Sequence, residues 1–262
     1  MNYKNLRYEN AEDARIVTIT VNRPEKLNAL NEAVWFDLAS AFARARADRD
    51  CGVVIVTGAG ERAFVAGADI QELSELDVRG MKAKSKRGQG VLTRIENLGK
   101  PVIGMINGFA LGGGLEVALA CHLRTMSDGA KIGVPEVGLG LLPGYGATQR
   151  LPRLVGRGRA LEMLLTGDPV DAETALSHGL VNRTAPADEL RAVTEKLAKK
   201  LLTRGPLALE AALDAVLRGS DQPLDLGLAV ESDIFGSMAA TQDTKEGLNA
   251  FIEKRKPNFE GA

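Results

Sequence analysis

Residues 100–121 read KPVIGMINGFALGGGLEVALAC. Pro101 introduces a short apolar run, VIGMI, that ends at Asn107-Gly108, which predicts a buried strand closed by a turn. Gly112, Gly113 and Gly114 then lead into LEVALAC, an apolar run of helical character carrying one charge, Glu116. The stretch is the most lipid-like in the chain, but Asn107, Glu116 and five glycines interrupt it and no flanking spans accompany it. A buried strand, turn and helix is the better reading.

The same alternation extends outward. Residues 15–21 (RIVTITV) and 53–57 (VVIVT) are β-rich and end at the turns NRPE and GAGE. Asn31 is placed to cap a helix that carries Val34, Leu38, Ala41, Phe42 and Ala45 at helical spacing, and Val91, Ile95 and Leu98 mark another. The first three-quarters of the chain therefore read as α/β. From about residue 187 strand signals stop and helices follow one another, with Pro206 and Pro223 at or near first helical positions. The expected division is a core over residues 1–195 and a helical C-terminal region over 196–262. After Pro223, Leu224, Leu228 and Phe235 fall on one side of a helix, and Leu226, Val230 and Ile234 on another. Such a helix is either sunk in its own core or packed between its own domain and another subunit.

Composition narrows the function. A chain of 262 residues, 45% of them apolar, can bury a core without disulfides or a structural metal. Its 33 basic and 34 acidic residues give a net charge of -1, which argues against broad attraction to nucleic acid or an anionic membrane. Two cysteines, Cys51 and Cys121, and two histidines, His122 and His178, match no zinc spacing, so no protein-built metal site is expected. The N-terminal MNYKNLRYEN has no apolar secretory segment and the cysteines suit a reducing compartment, so a cytoplasmic protein is expected.

Two carboxylates stand apart. Glu116 is the only charged residue between Lys100 and Arg124, and Glu136 the only one between Lys131 and Arg150. Burial disfavours an ionised carboxylate and raises its pKa, which suits proton transfer near neutrality. Each glutamate alone is as readily a turn cap or a side chain reaching solvent. A pair could hold one water between them, one taking its proton while the other supplies a proton to substrate. The glycine run admits two readings as well: free N–H groups at a helix start that would meet an anion, or close packing of that helix on the preceding strand. AFVAGADI (63–70) is a second glycine-containing turn that offers another donor.

Other motifs carry less. GAGERA (58–63) imitates a dinucleotide fingerprint, but AFVAG after it is not a helix start. The adjacent Cys121 and His122 read as packing or surface residues. The basic run RGMKAKSKR, from Arg79 to Arg87, reads as a solvated helix face, since it lacks the interleaved aromatics of a nucleic-acid site. Trp35 reads as packing, and Tyr145, between Gly144 and Gly146, either packs or lines a pocket.

Five blocks together, NRPEKLNAL (22–30), AFVAGADI (63–70), KPVIGMINGFALGGGLEVALAC (100–121), GVPEVGLGLLPGYGATQRL (133–151) and FIEKRKPNF (251–259), resemble the enoyl-CoA hydratase, or crotonase, family, in order and over nearly the whole chain. The resemblance implies a spiral of ββα units followed by a helical region used to form a homotrimer, or a hexamer of two stacked trimers. It implies an acyl-CoA substrate, with coenzyme A as part of that substrate and no further cofactor. It also implies a thioester carbonyl polarised by the backbone N–H groups of Ala68 and Gly113. Glu116 and Glu136 fall where hydratases of the family keep two catalytic glutamates. The implied reaction is reversible syn hydration of a trans-2-enoyl-CoA, with Glu136 as the main acid/base toward the α-carbon, Glu116 orienting and activating water, and Gly144 N–H as an added contact. By the same resemblance Lys26, Leu27, Ala29, Ala66, Asp69 and Ile70 lie along the CoA channel, and Lys26 and Lys254 are candidates to meet its phosphates. Tyr145 stands where many hydratases carry a smaller residue, which would reshape the acyl pocket. The rival readings are Δ3,Δ2-enoyl-CoA isomerisation, for which one glutamate suffices, and a non-catalytic acyl-CoA or RNA-binding protein.

Overall fold

In the computed structural model, which describes residues 3–11 and 15–262, the apolar runs of the sequence become strands that alternate between two sheets. In chain order they are β1 (Leu6–Asn10), β2 (Ile16–Val21), β3 (Val53–Gly58), β4 (Ala63–Val65), β5 (Val102–Ile106), β6 (Phe109–Leu111), β7 (Leu123–Ser127), β8 (Ile132–Gly133) and β9 (Arg183–Ala185). The larger sheet has the order β1-β2-β3-β5-β7-β9 and the smaller β4-β6-β8. Among the pairings of these strands with one another, β1–β2 is antiparallel and the others are parallel. Each successive pair, β3/β4, β5/β6 and β7/β8, gives its first strand to the large sheet and its second to the small one, so the chain winds as a spiral of ββα turns. GAGERA spans the short link from β3 to β4, and no helix opens at its glycines.

Helices cover both faces of the large sheet. α1 (Glu32–Ala47), α2 (Ile70–Ser74), α3 (Val78–Glu96), α4 (Gly113–Ala120), α5 (Ala147–Val155), α6 (Arg157–Thr166) and α7 (Ala172–Ser177) precede or flank its later strands. Asn31 caps α1 as its type predicts, its side chain accepting from the Val34 N–H at 2.9 Å. β3 is buried along its whole length because both of its faces are covered. Val54 and Val56 join the main core with Leu38, Phe42 and Ile95, whereas Val53 and Ile55 face a second core with Leu190 and Leu197. This is why the strand reads as an unbroken apolar run rather than an alternating one.

The second core is closed by α8 (Leu190–Leu202), whose Leu197 and Ala198 pack on the sheet. A cut between residues 195 and 196 therefore passes through a helix of the core, and the break in packing falls after α8. α9 (Pro206–Gly219), α10 (Leu224–Met238) and α11 (Gln242–Ile252) follow. Neither α9 nor α10 has a buried side chain. Leu224, Leu226, Leu228 and Phe235 of α10 are all exposed, so the two-faced helix is not sunk in a core of its own chain. Among the described residues no helix is long and apolar enough to cross a membrane.

Candidate active site

The three glycines ahead of Glu116 do different work. Gly112 has φ +52° and ψ -121°, and a Cβ there would lie 2.6 Å from Glu136 Oε1. Only glycine provides both that backbone and that space. A Cβ on Gly113 would come within 3.1 Å of Leu30 and 3.2 Å of Tyr145. On Gly114 it would lie 1.8 Å from the carbonyl oxygen of Val65, so α4 is seated directly on β4. Gly114 thus serves the packing reading of the run, and Gly112 leaves room for the Glu136 carboxylate.

This seating carries Glu116, one turn into α4, to a position only 1% exposed. Its Oε1 accepts from the Tyr145 N–H at 2.7 Å and the Ala147 N–H at 2.9 Å, the second at the start of α5. Its Oε2 is buried with no hydrogen-bond partner among the described residues. Burial pushes the Glu116 carboxyl up to about 7; the backbone donors oppose the shift and the nearby charge of Glu136 adds to it. Glu136 is the second residue of the 3-10 turn Pro135–Leu139, and its Oε2 is likewise buried and unpartnered among the described residues. Burial raises its carboxyl as well.

Both glutamates line one cavity of about 260 Å³. Ala66, Ala68, Ile70, Gly113, Gly144 and Tyr145, all named from sequence, share its wall. Leu30 donates to the Gly67 carbonyl at 2.8 Å and accepts from the Asp69 N–H at 3.0 Å, a parallel bridge that turns the intervening Ala68 N–H away from Leu30. The Gly113 N–H belongs to the first turn of α4, where helical donors have no partner within the helix. Neither N–H has a protein acceptor among the described residues, and the positive end of α4 adds to the pull on an anion there. The Gly144 carbonyl is held by Ser85 Oγ at 2.6 Å and Gln89 Nε2 at 3.1 Å, which fixes the loop that runs from Glu136 to the Tyr145 and Ala147 N–H donors of Glu116.

Tyr145 is 5% exposed and does both things its two readings allowed. It lines the cavity, while its ring packs T-shaped on Trp35 at 4.9 Å and sets its Cδ1–Cε1 edge against Gly88, where a Cβ would come within 2.3 Å of it. The basic run departs from its reading as a solvated face. Arg79, Lys82 and Lys86 are exposed, but Lys84 is 9% exposed, pairs with Glu72 at 2.5 Å and lines the cavity with Met81 and Ser85. Residues 81, 84, 85 and 88 form the inner stripe of α3, and charge density alone does not reveal that phase.

The residues expected along a CoA channel divide. Lys26, Leu27, Ala29 and Asp69 lie beside the cavity rather than in its wall. Their turn is tied to the wall by the Ala66 N–H donating to the Leu27 carbonyl at 3.0 Å. Asp69 pairs with Arg23 at 3.4 Å, and Arg23 also donates to the Ala29 carbonyl at 2.7 Å. Lys254 is exposed past the end of α11 and does not line the cavity. Sequence reading missed Asn28, which is fully buried with φ +60°. It accepts from the Arg23 N–H and donates to the carbonyls of Ala59 and Ala63, locking that turn to the β3–β4 link. A polar residue inside an apolar-bounded turn was the available signal. Cys121 is buried, and His122 accepts from the Val102 N–H at Nδ1 and donates from Nε2 to the Glu96 carbonyl, so both are structural.

Residues 11–262 match the family model described as enoyl-CoA hydratase/isomerase. The chain is 42% identical over 259 residues to the crotonyl-CoA hydratase of Syntrophomonas wolfei, covering 99% of each. It is 42% identical over 245 residues to the short-chain-enoyl-CoA hydratase of Clostridium acetobutylicum, covering 94% of each. The crystal structure of an enoyl-CoA hydratase from Bacillus anthracis superposes with a TM-score of 0.95 at 36% identity, over 99% of this chain and 100% of the other.

Proposed function

The chain belongs to the enoyl-CoA hydratase/isomerase family, and on that premise we propose that it adds water, reversibly and syn, across the double bond of trans-2-enoyl-CoA thioesters to give 3-hydroxyacyl-CoA. One observation carries the reading: Glu116, buried, and Glu136, half-buried, each keep one oxygen unpartnered among the described residues and line a single cavity whose wall also includes Ala68 and Gly113, with their free N–H groups. The thioester carbonyl sits between those two donors, which take up the charge that moves onto its oxygen as water adds to C3. Each donor contributes ~3 kcal/mol in the transition state. Glu116, ionised, accepts a proton from the attacking water. Glu136, protonated, delivers a proton to C2, and the pair then exchanges a proton to reset.

Isomerisation would use one carboxylate, and a binding protein would use none. Keeping a second unpaired carboxylate buried is costly without a use for it, which favours hydration over both. Incubation with crotonyl-CoA is expected to bleach the conjugated-thioester absorbance and yield the 3-hydroxy product. Binding without product across short and long enoyl-CoAs would reject the hydratase reading.

The exposed Leu224, Leu228 and Phe235 of α10, with Phe251 and Ile252 of α11, support self-association, which the family resemblance sets as a homotrimer or two stacked trimers, and we infer a cytoplasmic protein from the sequence. Sedimentation at micromolar concentration is expected to show three or six chains, and a single-chain mass would overturn that assembly.

A further inference from the structure

Lys84, paired with Glu72, stands between two cavities. On one side is the 260 Å³ cavity of the two glutamates. On the other is a space of about 210 Å³ between α1, α2 and α3, to which Trp35, Glu75, Leu76 and Arg87 contribute. Lys84 and Glu72 both line this second space, and Lys84 lines the first as well. The catalytic side of Lys84 is apolar, with Leu73, Met81, Leu139 and Leu142 around it. The far side is charged: besides the pair itself it holds Glu75 and the Arg87–Glu32 ion pair that ties α3 to α1.

We propose that the Lys84–Glu72 ion pair closes the distal end of the acyl pocket and restricts this enzyme to short-chain enoyl-CoA substrates, an inference that rests on the hydratase reading. A short acyl group fills the apolar side and leaves the pair intact. A longer one must part the two side chains and thread its tail into the charged space beyond. That step breaks a charge-assisted hydrogen bond and places methylenes against carboxylates and a guanidinium, where they gain little. The pair is held from both ends. Lys84 is fixed on α3 among buried neighbours, and Glu72 also accepts from the Glu32 N–H at the start of α1 at 3.0 Å. The element that would have to move is α2, which has no buried side chain.

Chain-length profiles test this. Lys84→Met removes the charge while keeping a flexible side chain of similar length that a passing alkyl tail can displace. Glu72→Gln weakens the pair from its more exposed member, whose side chain is 36% accessible against 10% for Lys84. Wild type is expected to favour crotonyl-CoA over trans-2-decenoyl-CoA in kcat/KM, and each variant is expected to narrow that ratio by about tenfold or more. A loss of packing or stability would lower both rates without moving their ratio. A wild type that hydrates both substrates equally, or ratios that stay within about twofold in both variants, would overturn the gate. The affinity ratio of butyryl-CoA to decanoyl-CoA, measured by calorimetry, needs no turnover and should shift in the same direction. Failure to hydrate crotonyl-CoA would refute the reaction, whereas an unshifted affinity ratio would refute the gate.

Discussion

Glu136→Gln is expected to lower kcat on crotonyl-CoA by about 10²–10⁴-fold with little change in KM, and Glu116→Gln to do the same, because each removes a proton-transfer group while keeping its shape. Stability gives Glu116→Gln a second signature. In the unfolded chain the Glu116 carboxyl titrates near its ordinary value of 4.5, whereas in the folded protein burial holds its proton up to about 7. Between those values the folded state binds more protons than the unfolded state, so stability falls as pH rises from 4.5 to about 7, and the loss is complete above that. The size is roughly 3 kcal/mol, from 1.36 kcal/mol per pKa unit. Glutamine does not titrate. Glu116→Gln is therefore expected to match wild type in urea unfolding at pH 4 and to exceed it by roughly 3 kcal/mol at pH 8. An inactive variant that gained no stability at pH 8 would mean that the wild-type carboxylate is not paying for its burial. Activity has its own pH signature. Hydration needs one carboxyl of the pair ionised and the other protonated, and burial raises both, so kcat/KM should be bell-shaped with limbs that belong to the coupled pair, and either Gln variant should remove the bell.

Much of this site was legible because charge is sparse where the core is. Glu116 and Glu136 could be found by counting, since each is alone in a long uncharged stretch, and burial of such a group shifts its pKa in one direction only. The strands over 16–21, 53–58 and 102–106 were legible for a related reason: a strand covered on both faces must be apolar throughout. The proposed oxyanion donors were not legible from composition or spacing. Whether the Ala68 N–H is free depends on the pairing of Leu30 with the 67–69 segment, a contact between residues nearly forty apart, and only family resemblance pointed there. Lys84 was lost for a different reason. Every second or third residue of RGMKAKSKR is basic, so the run gives no hydrophobic phase from which to tell the inner stripe from the outer. The fate of α10 also lay beyond the sequence, because two apolar faces require two partners without saying which chain supplies them.

Gly114→Ala is expected to have the largest effect on folding of any single methyl addition in the site, destabilising the protein by ~4 kcal/mol or more. The added carbon would stand 1.8 Å from the Val65 carbonyl oxygen and 2.7 Å from its carbon, both main-chain atoms of β4 with no rotamer to change. α4 would have to lift off the small sheet. For a chain of this length that corresponds to a Tm lower by roughly 10 °C or to failure to fold. Gly90→Ala is the matched control: it lies on the exposed side of α3 with nothing within 4 Å of the new carbon, and it should raise stability by about 0.5–1 kcal/mol. Gly112→Ala separates packing from chemistry. Its clash is with the Glu136 carboxylate, which can swing away, and its φ of +52° adds strain of about 1–3 kcal/mol, so activity should fall further than stability does. If Gly114→Ala melted like wild type, α4 would not be seated on β4 by backbone contact. The height of Gly113 N–H and Glu116 above the cavity would then need another cause, because both ride on that helix and inherit their positions from where it rests.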